Sequence, residues 1–252
     1  MASYCPPLLH CVLPGKLYIM QKKQQKMAQA SGSYRFFDLS PFLKVADWEE
    51  FGPENLSTVL RFNETFGSIF KTLNESQIVC TVDAGSKKIT NAVFLLGAFM
   101  TLELGLCPDV IWDSVKEINL ETYKSAGSNL STIHPILFSV CDCWKVFRKC
   151  GEMGWLEKPS ESGIWGKIIV DEYEHYISPL NGCLIQLVPE KLISFPSPEM
   201  LDGNRQYFDE GGERHFSAAY FAEILSALNV MNSTRNLSTS TNPHYKHLKG
   251  TQ

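Results

Sequence analysis

The chain has 252 residues, is 44% hydrophobic and 20% charged, and carries a net charge of −4. This is an ordinary globular composition, long enough for one large domain or for one complete domain and part of another. Its only basic run is the short Lys22-Lys23-Gln24-Gln25-Lys26, so charge gives no support for nucleic-acid binding.

The predicted elements alternate between strand and helix. Lys16-Leu17-Tyr18-Ile19 is a short strand, residues 21–33 form a polar loop, and Tyr34-Arg35-Phe36-Phe37-Asp38-Leu39 is a second strand. A helix follows Gly52-Pro53, because Leu56, Val59, Leu60, Phe66, Ile69, Phe70 and Leu73 recur near a 3.6-residue period. Gln77-Ile78-Val79-Cys80-Thr81-Val82 is a buried strand, and a loop over residues 83–88 leads into an apolar helix over 90–103. Cys107-Pro108 interrupts, a helix follows over 109–117, and another spans 133–153 with Leu137, Val140, Cys141, Trp144 and Phe147 on one stripe. The order indicates an α/β domain with helices packed on a central sheet, closing near Trp155. Residues 158–163 read as a linker.

The apolar run Ala92–Met100 is too short to cross a bilayer, so no membrane association is expected. Eight cysteines at irregular spacing read as free thiols in a reducing compartment. The N-terminus has no basic n-region, and its apolar run is broken by prolines, which argues against a signal peptide. An intracellular location, cytoplasm and/or nucleus, is expected, and six Asn-x-Ser/Thr sequons are read as incidental.

The second half echoes the first. Val12-Leu13-Pro14-Gly15-Lys16-Leu17-Tyr18-Ile19 is similar to Leu187-Val188-Pro189-Glu190-Lys191-Leu192-Ile193-Ser194, at an offset of 175 residues. That offset suits two tandem domains of related fold. A helix is predicted over 216–229, but the following Asn/Ser/Thr-rich residues cannot fill a buried strand. The expected organisation is a first domain over 1–157, a linker over 158–181, the start of a second, truncated domain over 182–230, and a disordered tail over 231–252.

Phe51-Gly52-Pro53-Glu54-Asn55-Leu56, Asn91-Ala92-Val93-Phe94-Leu95-Leu96-Gly97-Ala98 and above all Val170-Asp171-Glu172-Tyr173-Glu174-His175-Tyr176 follow one another in an order and spacing that resembles the cell-division-cycle-fourteen dual-specificity protein phosphatases. Asn181-Gly182 and Val188-Pro189-Glu190-Lys191-Leu192-Ile193-Ser194-Phe195 support the resemblance. It implies two tandem dual-specificity-phosphatase-like domains, the first non-catalytic and shaping the substrate groove, the second carrying the chemistry. Phosphoprotein substrates or other proteins are the implied partners.

The chemistry of such enzymes needs a thiolate in a loop ahead of a helix N-terminus, with the signature Cys, five residues, Arg. The residues six positions after the eight cysteines are Cys11, Leu17, Ser86, Asp113, Phe147, Lys149, Leu156 and Pro189. None is arginine, so no catalytic residue is assigned. The nearest imitation is the loop after Val82, where Thr81 stands near the vestigial nucleophile position. Asp83 there would repel a phosphate, while Lys87 and Lys88 would attract one, so a degenerate structural loop competes with a weak anion site.

The run Val170–Tyr176 concentrates Asp171, Glu172, Glu174 and His175. No second cluster supplies metal ligands, and Cys141, Cys143 and Cys150 lack a fourth; no metal and no cofactor are expected. Two readings of the acids stand. By resemblance, Glu174 first, then Asp171 and Glu172, line an acidic groove that attracts the basic residue following a phospho-Ser-Pro site. Alternatively, they are a solvated helix start, where acids favour the N-terminal dipole. Ile177 stands where the family often has a further acid.

Overall fold

The computed structural model describes residues 9–26, 34–43, 55–72, 76–121, 123–124, 137–159, 163–201 and 203–228. The chain divides into two compact units, residues 1–174 and residues 175–252.

The first unit is built on a sheet of four strands: β1 (His10–Leu13), β2 (Leu17–Gln21), β3 (Tyr34–Asp38) and β4 (Gln77–Val82), in the order β1-β2-β4-β3. β2 and β3 run parallel to β4, while β1 is antiparallel to β2. β4 is the central parallel strand and is buried from Ile78 to Val82, as suits its near-continuous apolar sequence, interrupted only by Thr81. One face of the sheet presents Leu17, Ile19, Ile78, Cys80 and Val82 to the main core. The other buries Tyr18, Met20 and Val79 under Leu9.

Helix α1 (Leu56–Lys71) starts where Asn55 accepts a hydrogen bond from the Thr58 amide at 3.2 Å. Its Phe62 and Phe66 stack at 5.2 Å, and Phe66 meets Phe99 edge-on at 4.8 Å. Helix α2 (Ser86–Leu102) is buried all round from Thr90 to Thr101, a central core helix rather than an amphipathic one. Helix α3 (Pro108–Val115) begins with proline at its first turn, the position that tolerates a missing N–H.

A two-residue strand β5 (Tyr123–Lys124) pairs with β6 (Leu137–Phe138) just before helix α4 (Val140–Glu152). The helix expected from residue 133 therefore begins seven residues later. Ser139 and Asp142 form a capping box that fixes the start, and Leu137 belongs to a strand. Residues 133–136 lie outside the described residues. α4 packs on α2 at Gly97, where an added Cβ would lie 2.0 Å from the Trp144 ring. The Trp144 indole N–H donates to the Phe94 carbonyl at 3.0 Å. Two further differences are local: β1 is an additional edge strand, and Lys22–Gln24 is a short 3-10 turn inside the expected loop.

The segment read as a linker carries regular structure. β7 (Ile164–Trp165) and β8 (Ile168–Ile169) form a hairpin, and helix α5 (Val170–Ile177) follows directly. Trp165, Ile168 and Val170 bury with Leu60 and Leu156 in a second cluster of the first unit.

The second unit contains two hairpins and a helix. β9 (Ile185–Val188) pairs with β10 (Leu192–Ser194), and β11 (Tyr207–Glu210) with β12 (Glu213–Phe216). Helix α6 (Ala218–Ala227) is capped by the Ser217 hydroxyl and contributes Phe221 to a small cluster with Leu184 and Phe216. The expected tail over 231–252 lies outside the described residues.

The sequence repeat reappears as matching local geometry. In the first hairpin the Lys16 amide donates to the Leu13 carbonyl at 3.0 Å, and in the second the Lys191 amide donates to Val188 at 3.0 Å. Leu13 pairs with Leu17, and Val188 with Leu192. Gly15 has φ +73° and its counterpart Glu190 has φ +62°, so both turns carry proline second and a left-handed residue third.

Candidate functional site

Two places in the first unit carry the residues singled out from sequence. The first is the β4–α2 connection, a buried strand delivering a short loop to the N-terminus of a core helix. Thr81 lies on the strand, 2% exposed, with its hydroxyl 3.4 Å from the Phe37 carbonyl it donates to. Asp83 opens the loop, Gly85 turns it with φ +128°, and Lys87 and Lys88 fall in the first turn of α2.

The loop is held by its own charges. Lys88 Nζ lies 3.1 Å from Asp83 Oδ2, and Lys22, just past the end of β2, reaches Asp83 at 3.6 Å and Asp38 at 2.8 Å. The Lys88 hydrogen bond, then the Lys22 charge, holds the Asp83 carboxyl below the usual carboxylate range. At Asp38 burial pushes upward, but hydrogen bonds from Lys22 and Ser40 outweigh it and the net shift is downward. The Ser86 hydroxyl donates to Glu121, and the Thr90 hydroxyl accepts from the Glu121 amide at 2.9 Å. Carboxylates thus occupy the surroundings of a helix N-terminus that a phosphoryl group would need open.

Cys80, Cys141, Cys143 and Cys150 lack the environment of an activated nucleophile. Cys80, at the strand position before Thr81, is fully buried, and desolvation drives its thiol far above the ordinary range. Burial likewise pushes Cys143 up to about 11 and raises Cys141 and Cys150. Among the described residues no three His, Cys, Asp or Glu side chains gather as a metal site.

The second place is the start of α5. Asp171 and Glu172 occupy its first turn, where acids suit the helix dipole. Their surroundings include a residue no local sequence signal singles out, Arg61 on α1. Its guanidinium bonds Glu174 through two nitrogens at 3.3 and 3.1 Å, pairs with Asp171, and lies 3.5 Å from Glu64. The bonds to Glu174, then to Asp171, raise the Arg61 pKa further. Glu64 in turn accepts from the Gly163 amide at 3.0 Å and the Trp165 indole at 3.2 Å. Arg61 and Glu64, one turn apart on α1, thereby clasp both the β7–β8 hairpin and the first turns of α5. Glu172 is exposed and makes no hydrogen bond or ion pair among the described residues. His175 also faces solvent, one residue past the division between the units. Tyr173 packs against the Leu60–Trp165 cluster, and burial raises its phenol pKa.

A mixed sheet flanked by core helices, with a buried central strand leading through a short loop to the N-terminus of a core helix, defines an α/β domain with a phosphatase-like strand–loop–helix connection. Residues 11–150 match the family model described as dual specificity protein phosphatase, N-terminal half, and the chain belongs to that family. It is 25% identical over 199 residues to the dual specificity protein phosphatase CDC14C of Symphalangus syndactylus, covering 76% of this chain and 38% of that protein. Against human CDC14C the identity is 25% over 76% of this chain and 41% of the relative. Against CDC14AB of Danio rerio it is 26% over 211 residues, 82% of this chain and 32% of the relative. The chain therefore spans less than half the length of these curated relatives. The resemblance read from sequence and the α/β fold, a central sheet flanked by helices, are both met. Among the described residues no helix is long and apolar enough to cross a membrane.

Proposed function

We propose that this chain is the non-catalytic, groove-shaping part of a dual-specificity phosphatase and does not itself hydrolyse phosphoesters. One observation carries the reading: no cysteine in the chain is followed by arginine six positions on, and the loop nearest to that design is filled by Asp83, Lys88 and Lys22. Residues 1–157 act as the phosphatase-like domain, 158–181 as the acidic connecting segment, and the residues from 182 as the start of a second domain of related fold. Hydrolysis by a protein carrying this chain requires a Cys-x5-Arg loop from outside it. The partners are phosphoprotein substrates or other proteins.

The acids of α5 divide the work. Glu174 and Asp171 orient the helix through Arg61, and the exposed Glu172, which pairs with no cation among the described residues, offers its charge to a cation on a bound peptide, with the open side of Asp171 beside it. Such a contact supplies selectivity and association rate more than affinity. The test is binding of a phospho-Ser-Pro peptide with lysine after the proline, compared with the same peptide carrying glutamate there. Preference for the lysine peptide, lost in Glu172→Lys, supports the groove; equal binding of both peptides refutes it. A second reading, a binding module acting on its own, is favoured by the exposed Ile185, Leu187 and Leu192 of the β9–β10 hairpin. It predicts stable capture of a protein partner by the isolated chain.

A further inference from the structure

A cavity of about 530 Å³ opens in the first unit at the edge of the sheet opposite the β4–α2 loop. It is bordered by the Gly15–Lys16 turn ahead of β2, by Ser76 ahead of β4, and by the last turns of α1 and α2. Its size is that of a small-molecule site. Phe70, Phe99 and Leu104 give it an apolar floor, the two rings meeting edge-on at 5.2 Å. Gly67 keeps the α1 wall low, since a Cβ there would already stand in van der Waals contact with Phe99 at 3.6 Å and with the Glu103 side chain at 3.7 Å.

The polar groups converge on one sign. Lys16, Lys71 and Lys158 line the cavity against a single carboxylate, Glu103. Glu103 is unusual for its position: its side chain is 6% exposed, and it caps the C-terminal end of α2, where the helix dipole disfavours an anion. Lys158 compensates it at 2.5 Å. The side chains of Lys16 and Lys71, both exposed, make no hydrogen bond or ion pair with another described residue, and they border the apolar floor.

We propose that this cavity binds a small amphipathic dianion, an aryl phosphate, with the ring on Phe70 and Phe99 and the phosphate between Lys16 and Lys71. Two point cations match a dianion, and Lys158 stays engaged with Glu103. The site is distinct from the α5 acids and stands or falls independently of the groove proposed there.

The test is titration of the full chain with phenyl phosphate by nitrogen-edited NMR, with phenol and inorganic phosphate as partial ligands. Expected are saturable shifts at Gly67, Phe99 and Leu104, with each partial ligand weaker by at least about tenfold, the equivalent of 1.4 kcal/mol. Lys71→Glu and Lys16→Glu, both at exposed positions, are each expected to weaken phenyl phosphate by about tenfold or more. Gly67→Leu, which fills the cavity, is expected to abolish binding. Inorganic phosphate binding as well as phenyl phosphate, affinity unchanged in the lysine variants, or no saturation up to about 10 mM, far weaker than a millimolar site, would each overturn the proposal.

Discussion

Replacing Arg61 by alanine removes the cation that, among the described residues, pairs with Asp171 and Glu174 of α5. The worth of those contacts follows from their exposure. The Arg61 side chain is 35% exposed, Glu174 41% and Asp171 83%. The two-point bond to Glu174 is partly shielded and contributes about 1 kcal/mol after solvent screening, while exposed Asp171 adds a few tenths. Lost packing of the arginine stem adds a little more, so Arg61→Ala should destabilise by roughly 1–2 kcal/mol. In a unit of this size that lowers the melting midpoint by about 2–8 °C. A double-mutant cycle with Glu174→Ala isolates the pair, with an expected coupling of about 0.5–1 kcal/mol. Denaturant unfolding of the four proteins measures it. Coupling below about 0.3 kcal/mol, within the error of additivity, would refute the clasp between α1 and α5. In the peptide assay the same variant should strengthen binding of the lysine peptide, because a competing internal cation is gone.

Three other outcomes test separate links. Gly97→Ala drives a methyl into the buried Trp144 ring, and the overpacking cost exceeds the helix-propensity gain, a net loss of about 2 kcal/mol seen by thermal unfolding. Glu190→Gly should stabilise the second unit by up to about 1 kcal/mol by relieving a left-handed residue, whereas Gly15→Ala should destabilise the matching turn of the first; opposite signs in hydrogen exchange of the two hairpins are the check. For Asp83, whose carboxyl is held low chiefly by Lys88, the contribution to loop stability is present above the ordinary carboxylate range and disappears as pH falls through the depressed value. An NMR titration should give a value below about 3.9 that rises in Lys88→Ala; an unchanged value would show that the pair is not formed.

The legible parts of the fold are those written locally. The largely apolar run of β4 and the 3.6-residue spacing of α1 are short-range patterns, and each became the expected element; the Pro189-Glu190 echo of Pro14-Gly15, legible in sequence only as a repeat, forms a matching pair of turns. The start of α4 was misplaced because Leu137 fits a helical stripe equally well, while the Ser139–Asp142 capping box that ends the ambiguity is a weaker signal. The β7–β8 hairpin was read as a linker because two-residue strands carry almost no period.

The site divides in the same way. Asp171, Glu172 and Glu174 stand out as a cluster in the sequence, and so do Asp83, Lys87 and Lys88. Their partners do not: Arg61 lies 110 residues before Asp171, and Lys22 lies in another element from Asp83. Of the three acids, Asp171 and Glu174 hold Arg61, while Glu172 is exposed and pairs with no described cation.

The central claim is that this chain holds a phosphatase-like fold without phosphatase chemistry, and hydrolysis tests it most directly. The purified chain is incubated with p-nitrophenyl phosphate and with a phospho-Ser-Pro peptide, with and without vanadate. The account predicts release of nitrophenol and phosphate at the buffer rate, unchanged by vanadate. Turnover that scales with protein concentration and is abolished by vanadate would contradict it.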